Sequence, residues 1–299
     1  MTAPDPRSWL FIPGDSEKKL GRADNSGADA VIIDLEDAVA LANKDAAREL
    51  TASFLGERPK GSRRYQLWVR INAFDTGRTA DDITAVMGAA PDGIMLPKSE
   101  GVADLVQLSE LLDKAEKKAS LEAGSTRIVP VATETARAVL KLNDFADANV
   151  PRLQGLTWGA EDLGTALGTI GNRLPDGRFY EAFRMVRSLT LIAAHAAGVQ
   201  AIDTLQADFR DLAALKASSE WSYCEGFTGR LAIHPAQVEV INAAYLPTER
   251  QIDEARAIIT AFEDVAHGAG AAQMEGRMVD RPHLVQAERL VARGKAFGR

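Results

Sequence analysis

The chain has 299 residues, 46% hydrophobic and 26% charged, the balance of a globular protein whose core needs no staple. Its net charge of −7 excludes the basic footprint of a nucleic-acid binder, and its single cysteine, Cys224, excludes a disulfide framework or a multi-thiolate zinc site within one chain. No apolar run reaches membrane-spanning length and residues 1–7 carry no charged-then-apolar leader pattern, so a cytoplasmic location without a membrane partner is expected.

Eight short apolar runs follow in order: Ser8–Pro13, Ala30–Leu35, Gln66–Ile71, Gly93–Leu96, Arg127–Val131, Gly155–Trp158, Gln200–Leu205 and Arg230–Ile233. Each has strand length. Val31-Ile32-Ile33 is apolar without alternation, as parallel strands covered on both faces require. Helical spacing lies between the runs. Asp104–Lys118 places Leu105, Leu108, Leu111 and Leu112 on one side, and Glu181–Ala197 does the same with Phe183, Val186, Leu189, Ile192 and Ala193. Strand and helix alternating eight times predict a (β/α)8 TIM barrel over residues 1–246. No Gly-x-Gly-x-x-Gly follows the first run, which argues against a dinucleotide fold. Residues 247–299 read as a C-terminal helical extension and lid. Pro247–Ala266 is amphipathic, Gly268-Ala269-Gly270 is a flexible stretch, and Met274–Arg299 holds a short apolar element and another helix. Cys224, beside Trp221 and Tyr223, reads as a packing residue.

Barrels of this class build their sites at the carboxyl ends of the strands, and polar residues crowd that end here. The second run closes on Asp34-Leu35-Glu36-Asp37, the third on Arg70-Ile71-Asn72, the fourth on Pro97-Lys98 and the fifth on Thr133-Glu134-Thr135. The sixth closes on Gly159-Ala160-Glu161-Asp162, the seventh carries Asp203, and the eighth closes on His234-Pro235. The strand starts lack this pattern, apart from Arg7, Arg127 and Arg230. Several acids at one mouth repel unless a cation neutralises them, and hard carboxylates without thiolates or paired histidines suit Mg²⁺ or Mn²⁺. Glu134 and Asp162 fit such a site. Asp37 reads equally as a helix cap or a functional acid. Arg70 reads as an ion-pair partner of Glu36 or Asp37, or as a clamp for a carboxylate or oxyanion. Lys98 reads as a supporting ion pair rather than a Schiff-base amine, because neighbouring carboxylates keep it protonated. His234 is a ligand or a strand-end hydrogen-bond partner, and His195 packs in a helix. Lys18, Lys19 and Arg22 meet a nucleotide phosphate or form a solvated face.

The ordered set Ser8-Trp9-Leu10-Phe11-Ile12-Pro13-Gly14, Asp34-Leu35-Glu36-Asp37-Ala38-Val39, Val69-Arg70-Ile71-Asn72, Leu96-Pro97-Lys98, Glu134-Thr135-Ala136, Gly159-Ala160-Glu161-Asp162, Gly226-Phe227-Thr228-Gly229 and Ile233-His234-Pro235-Ala236-Gln237 resembles the citrate lyase β-subunit and malyl-/citramalyl-CoA lyase family. The resemblance runs from about Arg7 to about Leu290 and implies a Mg²⁺-dependent lyase. Its substrate would be a coenzyme A thioester, with a 2-oxo acid and acetyl-CoA as products. It implies a homotrimer or hexamer, with an acyl carrier protein or a thioesterase activity as alternatives. Glu134 and Asp162 match the family's metal ligands, and Arg70 matches the arginine that steadies the enolate. The backbone of Gly159, Ala160 and Glu161 resembles the loop that holds the keto-acid carboxylate. Glu36, Asp37 and Lys98 match supporting positions. Gly276-Arg277-Met278-Val279-Asp280 resembles the lid motif whose aspartate, here Asp280, reaches a neighbouring subunit's site.

Overall fold

The computed structural model describes residues 4–263, 271–274 and 277–299. The expected flexible stretch Gly268-Ala269-Gly270 and Gly276 of the lid motif lie outside the described residues. Residues 6–242 form one compact unit, and the described residues of 243–299 with Pro4 and Asp5 form another.

The first unit contains eight parallel strands. They are β1 (Ser8–Pro13), β2 (Ala30–Asp34), β3 (Gln66–Arg70), β4 (Gly93–Leu96), β5 (Arg127–Pro130), β6 (Gly155–Thr157), β7 (Gln200–Asp203) and β8 (Gly229–Ala232). They pair in the order β5-β4-β3-β2-β1-β8-β7-β6. The two ends meet through parallel bridges, Ile128 with Leu153 and Val131 with Thr157. The Ala132 N–H reinforces this seam by donating to the Thr157 carbonyl at 2.9 Å. The sheet is thus the expected barrel, with helices following its strands: α1 (Glu17–Leu20), α2 (Lys44–Gly56), α3 (Thr79–Val86), α4 (Val102–Lys118), α5 (Ala136–Leu140), α6 (Ala160–Leu167), α7 (Glu181–Ala196), α8 (Leu212–Glu225) and α9 (Ala236–Ala244).

Side-chain size alternates inside the barrel, and that alternation sets the packing. Register places Trp9 beside Ala30, Ile32 beside Trp68, and Trp68 beside Gly93. Trp9, Ile32, Trp68, Met95, Val129, Ile202 and Leu231 belong to one buried cluster. The two tryptophans meet edge to face with ring centroids 5.0 Å apart, a favoured aromatic geometry. Bulky residues on β1 and β3 are accommodated because β2 and β4 offer Ala30 and Gly93. A methyl group added at Gly93 would stand 2.2 Å from the Trp68 ring.

The opposite end of the barrel carries structural ion pairs. Arg7 grips Asp29 through Nε at 2.7 Å and Nη2 at 2.9 Å. Arg152 reaches both Glu116 oxygens at 2.7 Å. Against the pull of burial, Arg152 and the Thr126 and Gly124 amides hold the Glu116 carboxyl down to about 2. The Arg7 noted at a strand start therefore serves stability.

The second unit holds α10 (Glu249–Glu263), an antiparallel pair β9 (Ala271–Met274) and β10 (Arg277–Asp280), and α11 (Arg281–Ala296). The strand pair stands where only one short apolar element was expected, because polar Gln273, Arg277 and Asp280 break up any continuous apolar run. Gly294 of α11 packs on Ile252 of α10, where an added Cβ would lie 2.9 Å from the Ile252 side chain. Cys224 is exposed on α8, not packed, so the neighbouring aromatics misdirected that expectation.

Gly93→Ala overpacks the barrel interior and is expected to destabilise the protein by about 1–3 kcal/mol. A thermal melt checks this, and the loss should shrink when Trp68 is also reduced to Leu.

Candidate active site

Strand register builds the site from β2 and β3. Asp34 and Arg70 stand opposite each other at the carboxyl ends of these strands. Arg70 therefore donates in two-pronged fashion to Asp34, Nε at 2.8 Å and Nη2 at 2.6 Å, the strongest geometry for this pair. Its third nitrogen, Nη1, lies 3.0 Å from Glu36 Oε2. That approach is ionic and not aligned as a hydrogen bond, since the same Glu36 oxygen has no hydrogen-bond partner. Asp34 also accepts from the Glu36 N–H at 2.9 Å and the Ala38 N–H at 3.2 Å. No helix begins between Asp34 and Val39, so neither Asp34 nor Asp37 caps one; the Asp34 bonds fasten the turn instead.

Lys98 closes the next side of the mouth. Its ammonium donates to Glu36 and to Asp37, the latter at 3.2 Å, and stands 3.9 Å from Asp162. Burial pulls its pKa down, yet Glu36, Asp37 and Asp162 together hold it well above the ordinary lysine value. A Schiff-base role is thereby disfavoured. Arg70 is likewise held above its usual value, because Asp34, Glu36 and Glu134 outweigh burial. For Glu36 the balance runs the other way: burial outweighs Arg70 and Lys98 and raises the carboxyl.

Glu134 is 5% exposed. The backbone at Lys98 adopts φ 51°, a left-handed conformation that costs a lysine free energy. In that conformation its N–H donates to Glu134. Opposite, Gly159 leaves room for the carboxylate; a methyl there would meet Glu134 Cγ at 2.8 Å and Oε1 at 3.1 Å. Burial pushes the Glu134 carboxyl up to about 8, against the Lys98 N–H, while Asp162 adds to the rise and Arg70 opposes it. A nearby cation would be needed to keep this acid ionised at neutral pH.

Arg70, Glu134 and the run Gly159 to Asp162 line one cavity of about 220 Å³, with Phe11, Trp158 and Leu205 as apolar wall. Gly159 precedes α6 and gives it no side-chain cap, so the helix presents its first amides with only backbone at the cap. The Gly159 N–H itself donates to Thr133 Oγ1 at 3.2 Å. Glu161 is tied outward by Asn172 Nδ2 at 2.9 Å.

Sequence reasoning thus brings Arg70, Glu36, Asp37, Lys98, Glu134, Gly159, Ala160, Glu161 and Asp162 to one mouth. It gave no role to Asp34, the anchor of Arg70, although Asp34 stands among the acids that close the second run. Asp280 stands in the second unit, at the start of α11, with Oδ1 2.5 Å from His283 Nδ1. At His234, Nδ1 accepts from the Ala236 N–H at 3.1 Å and the ring stacks on Phe209 at 4.6 Å. Lys18, Lys19 and Arg22 are exposed.

The sequence profile described as HpcH/HpaI aldolase/citrate lyase matches residues 7–235. The citrate lyase subunit beta of Leuconostoc mesenteroides subsp. cremoris is 37% identical over 286 residues, covering 95% of this chain and 92% of that one. The (3S)-malyl-CoA thioesterase of Cereibacter sphaeroides is 35% identical over 292 residues, covering 97% and 95%. Among solved structures, CitE of Mycobacterium tuberculosis in complex with magnesium, acetoacetate and coenzyme A is similar at a TM-score of 0.77 and 35% identity, covering 97% of this chain and 98% of that one.

The raised Glu134 value has a consequence for stability. The folded metal-free chain keeps this proton to about pH 8, whereas the unfolded chain releases it near 4.5. The folded state then binds more protons, and stability falls as pH rises between those values. Denaturant melts of metal-free protein across that window are expected to show the decline, and Glu134→Gln is expected to flatten it. A decline of equal slope in the variant would assign it to another group.

Proposed function

The chain belongs to the HpcH/HpaI aldolase/citrate lyase family, and on that premise we propose that it is a Mg²⁺-dependent carbon–carbon lyase of coenzyme A thioesters. Its substrate is a 3-hydroxyacyl thioester such as malyl-CoA or citramalyl-CoA. The bond between the hydroxyl carbon and the α-carbon breaks, giving a 2-oxo acid and acetyl-CoA, or forms in reverse. The observation that carries this reading is the placement of Glu134 and Asp162 on one cavity with Arg70.

The donor set fits the ion. Among the described residues no group of three or more His, Cys, Asp or Glu is placed to hold a metal. Mg²⁺ asks for less, one or two carboxylates with water and ligand oxygens completing the shell. Glu134 and Asp162 would hold it. When bound, the ion supplies Lewis acidity and a template for the oxo-acid oxygens.

The remaining roles belong to this chain's own groups. Arg70, fixed by Asp34 and Glu36, offsets negative charge on the thioester oxygen as the α-carbon gains electrons. Its guanidinium has five N–H donors, so the Asp34 bonds leave donors for a ligand. The free amides at the start of α6, at Ala160 and Glu161, receive the 2-oxo acid carboxylate. Lys98 holds Glu36 and Asp37 in place and gives its backbone N–H to Glu134. Asp280 delivers a proton to the α-carbon during cleavage and removes one during condensation, reaching the site of a neighbouring subunit in a homotrimer or hexamer.

Two variants of the reading are supported by particular relatives. Likeness to citrate lyase subunit beta supports action on a citryl thioester of an acyl carrier protein. Likeness to malyl-CoA thioesterase, at 35% identity over 97% of the chain, supports hydrolysis of the thioester at the same site. Product analysis separates them. With Mg²⁺ and malyl-CoA, citramalyl-CoA or citryl-CoA, the lyase yields a 2-oxo acid with acetyl-CoA, and a thioesterase yields free CoA with the hydroxy acid. Glu134→Ala is expected to abolish Mg²⁺-dependent turnover; normal cleavage by the purified variant would remove Glu134 from the site. Asp280→Asn is expected to slow deuterium exchange into acetyl-CoA by about 10²–10⁴-fold. Unchanged exchange would take the proton transfer away from Asp280.

A further inference from the structure

Away from the barrel mouth, a groove of about 410 Å³ opens beside β7 and β8, lined by Arg173, Arg178, Arg187, Arg230, Phe179 and Trp221 among others. Two of its four arginines are neutralised by carboxylates. Arg178 pairs with Asp176 at 2.7 Å, and Arg187 pairs with Asp203 at 3.1 Å and with Glu225. The other two make no ion pair within 4.0 Å among the described residues, although Asp203 attracts both at longer range and Glu161 attracts Arg173.

Arg230 is 3% exposed. Its Nε donates to the Thr204 carbonyl at 3.0 Å, and its Nη1 donates to Ser218 and Ser219 hydroxyls at 2.9 Å each. These partners are all neutral. The Nη2 edge has no hydrogen-bond partner among the described residues, and Arg230 contributes to the groove wall. Arg173 is also fixed in place: its Nη1 donates to the Gly177 carbonyl at 2.7 Å, and its guanidinium lies 3.7 Å over the Phe179 ring. Burial and, next, repulsion from Arg230 pull the Arg173 pKa below its usual value. Two immobilised guanidiniums that repel each other across one groove, in a chain of net charge −7, form a preorganised anion site. Ala214, Ala217 and Trp221 give the groove an apolar strip, beside Asp203, Thr204, Gln206 and Ser218.

We propose that this groove binds an organic phosphate, with the phosphate on Arg173 and Arg230 and a flat base against Trp221. The ligand class is a nucleotide. Thr204 lines both this groove and the mouth cavity, so two sources share the chemistry: the phosphoadenosine end of a coenzyme A thioester, or a separate nucleotide acting as an effector. The site uses none of the groups assigned to metal or bond cleavage.

Tryptophan fluorescence reads it directly. Trp9, Trp68 and Trp158 are fully buried, whereas Trp221 is 66% exposed. In the presence of EDTA, which silences the metal site, ADP is expected to give saturable quenching that disappears in Trp221→Phe. Arg173→Gln changes an exposed side chain and so should keep the fold. It is expected to weaken ADP about tenfold or more, the equivalent of one lost charge-assisted hydrogen bond. Coenzyme A binding well and dephospho-coenzyme A binding weakly would support the first source. ADP and inorganic phosphate competing while coenzyme A does not would support the second. Absence of saturable quenching by both ADP and coenzyme A, or unchanged ADP affinity in Arg173→Gln, would overturn the proposal.

Discussion

Charge imbalance at the barrel mouth is the constraint on which the site depends. Asp34, Glu36, Asp37, Glu134 and Asp162 gather there with Arg70 and Lys98, while Lys44, bonded to the Leu35 and Glu36 carbonyls, adds charge beside Asp34, Glu36 and Asp37. Arg70 is taken up by Asp34 and Glu36, and Lys98 by Glu36 and Asp37, with only a 3.9 Å approach left for Asp162. Among the described residues Glu134 makes no ion pair, and Asp162 makes only that long approach. Burying like charges without a counter-ion is costly, and the chain responds by raising the Glu134 carboxyl to about 8. A hard dication would resolve that imbalance and favour the ionised form of Glu134.

The barrel makes this arrangement possible by fixing directions. Parallel register alone sets Asp34 against Arg70, so the guanidinium is oriented before any ligand arrives. That matters for catalysis, because a preorganised cation needs no rearrangement as charge develops. Two backbone details hold Glu134: the left-handed turn at Lys98 and the missing side chain at Gly159. Strain at one residue and vacancy at another thus serve the same carboxylate.

Apolar runs of strand length, the absence of a glycine-rich phosphate loop and the polar strand ends were enough to read the barrel and most of the mouth from sequence. Boundaries were close: the run expected at Ala30–Leu35 is β2 at Ala30–Asp34, and the helix expected at Asp104–Lys118 is α4 at Val102–Lys118. What escaped depended on pairing between distant segments. Asp34 looks like one of three acids in its run until register sets it opposite Arg70. Gly159 looks like a helix cap until Glu134 is found beside it. The fit of Gly93 to Trp68 has no local signal at all. The β9–β10 pair escaped because Gln273, Arg277 and Asp280 interrupt the continuous apolar run that marked the barrel strands. Asp280 was reached only through family resemblance, and His283 beside it went unnoticed because a lone histidine in a helix carries no pattern.

Mn²⁺ binding followed by electron paramagnetic resonance tests the central claim most directly, since free and protein-bound ions give distinct signals. One site per chain is predicted for the native protein, displaced by Mg²⁺ and lost in Glu134→Gln and in Asp162→Asn, each shown to be folded. A site of unchanged affinity in both variants would contradict the assignment of those two acids.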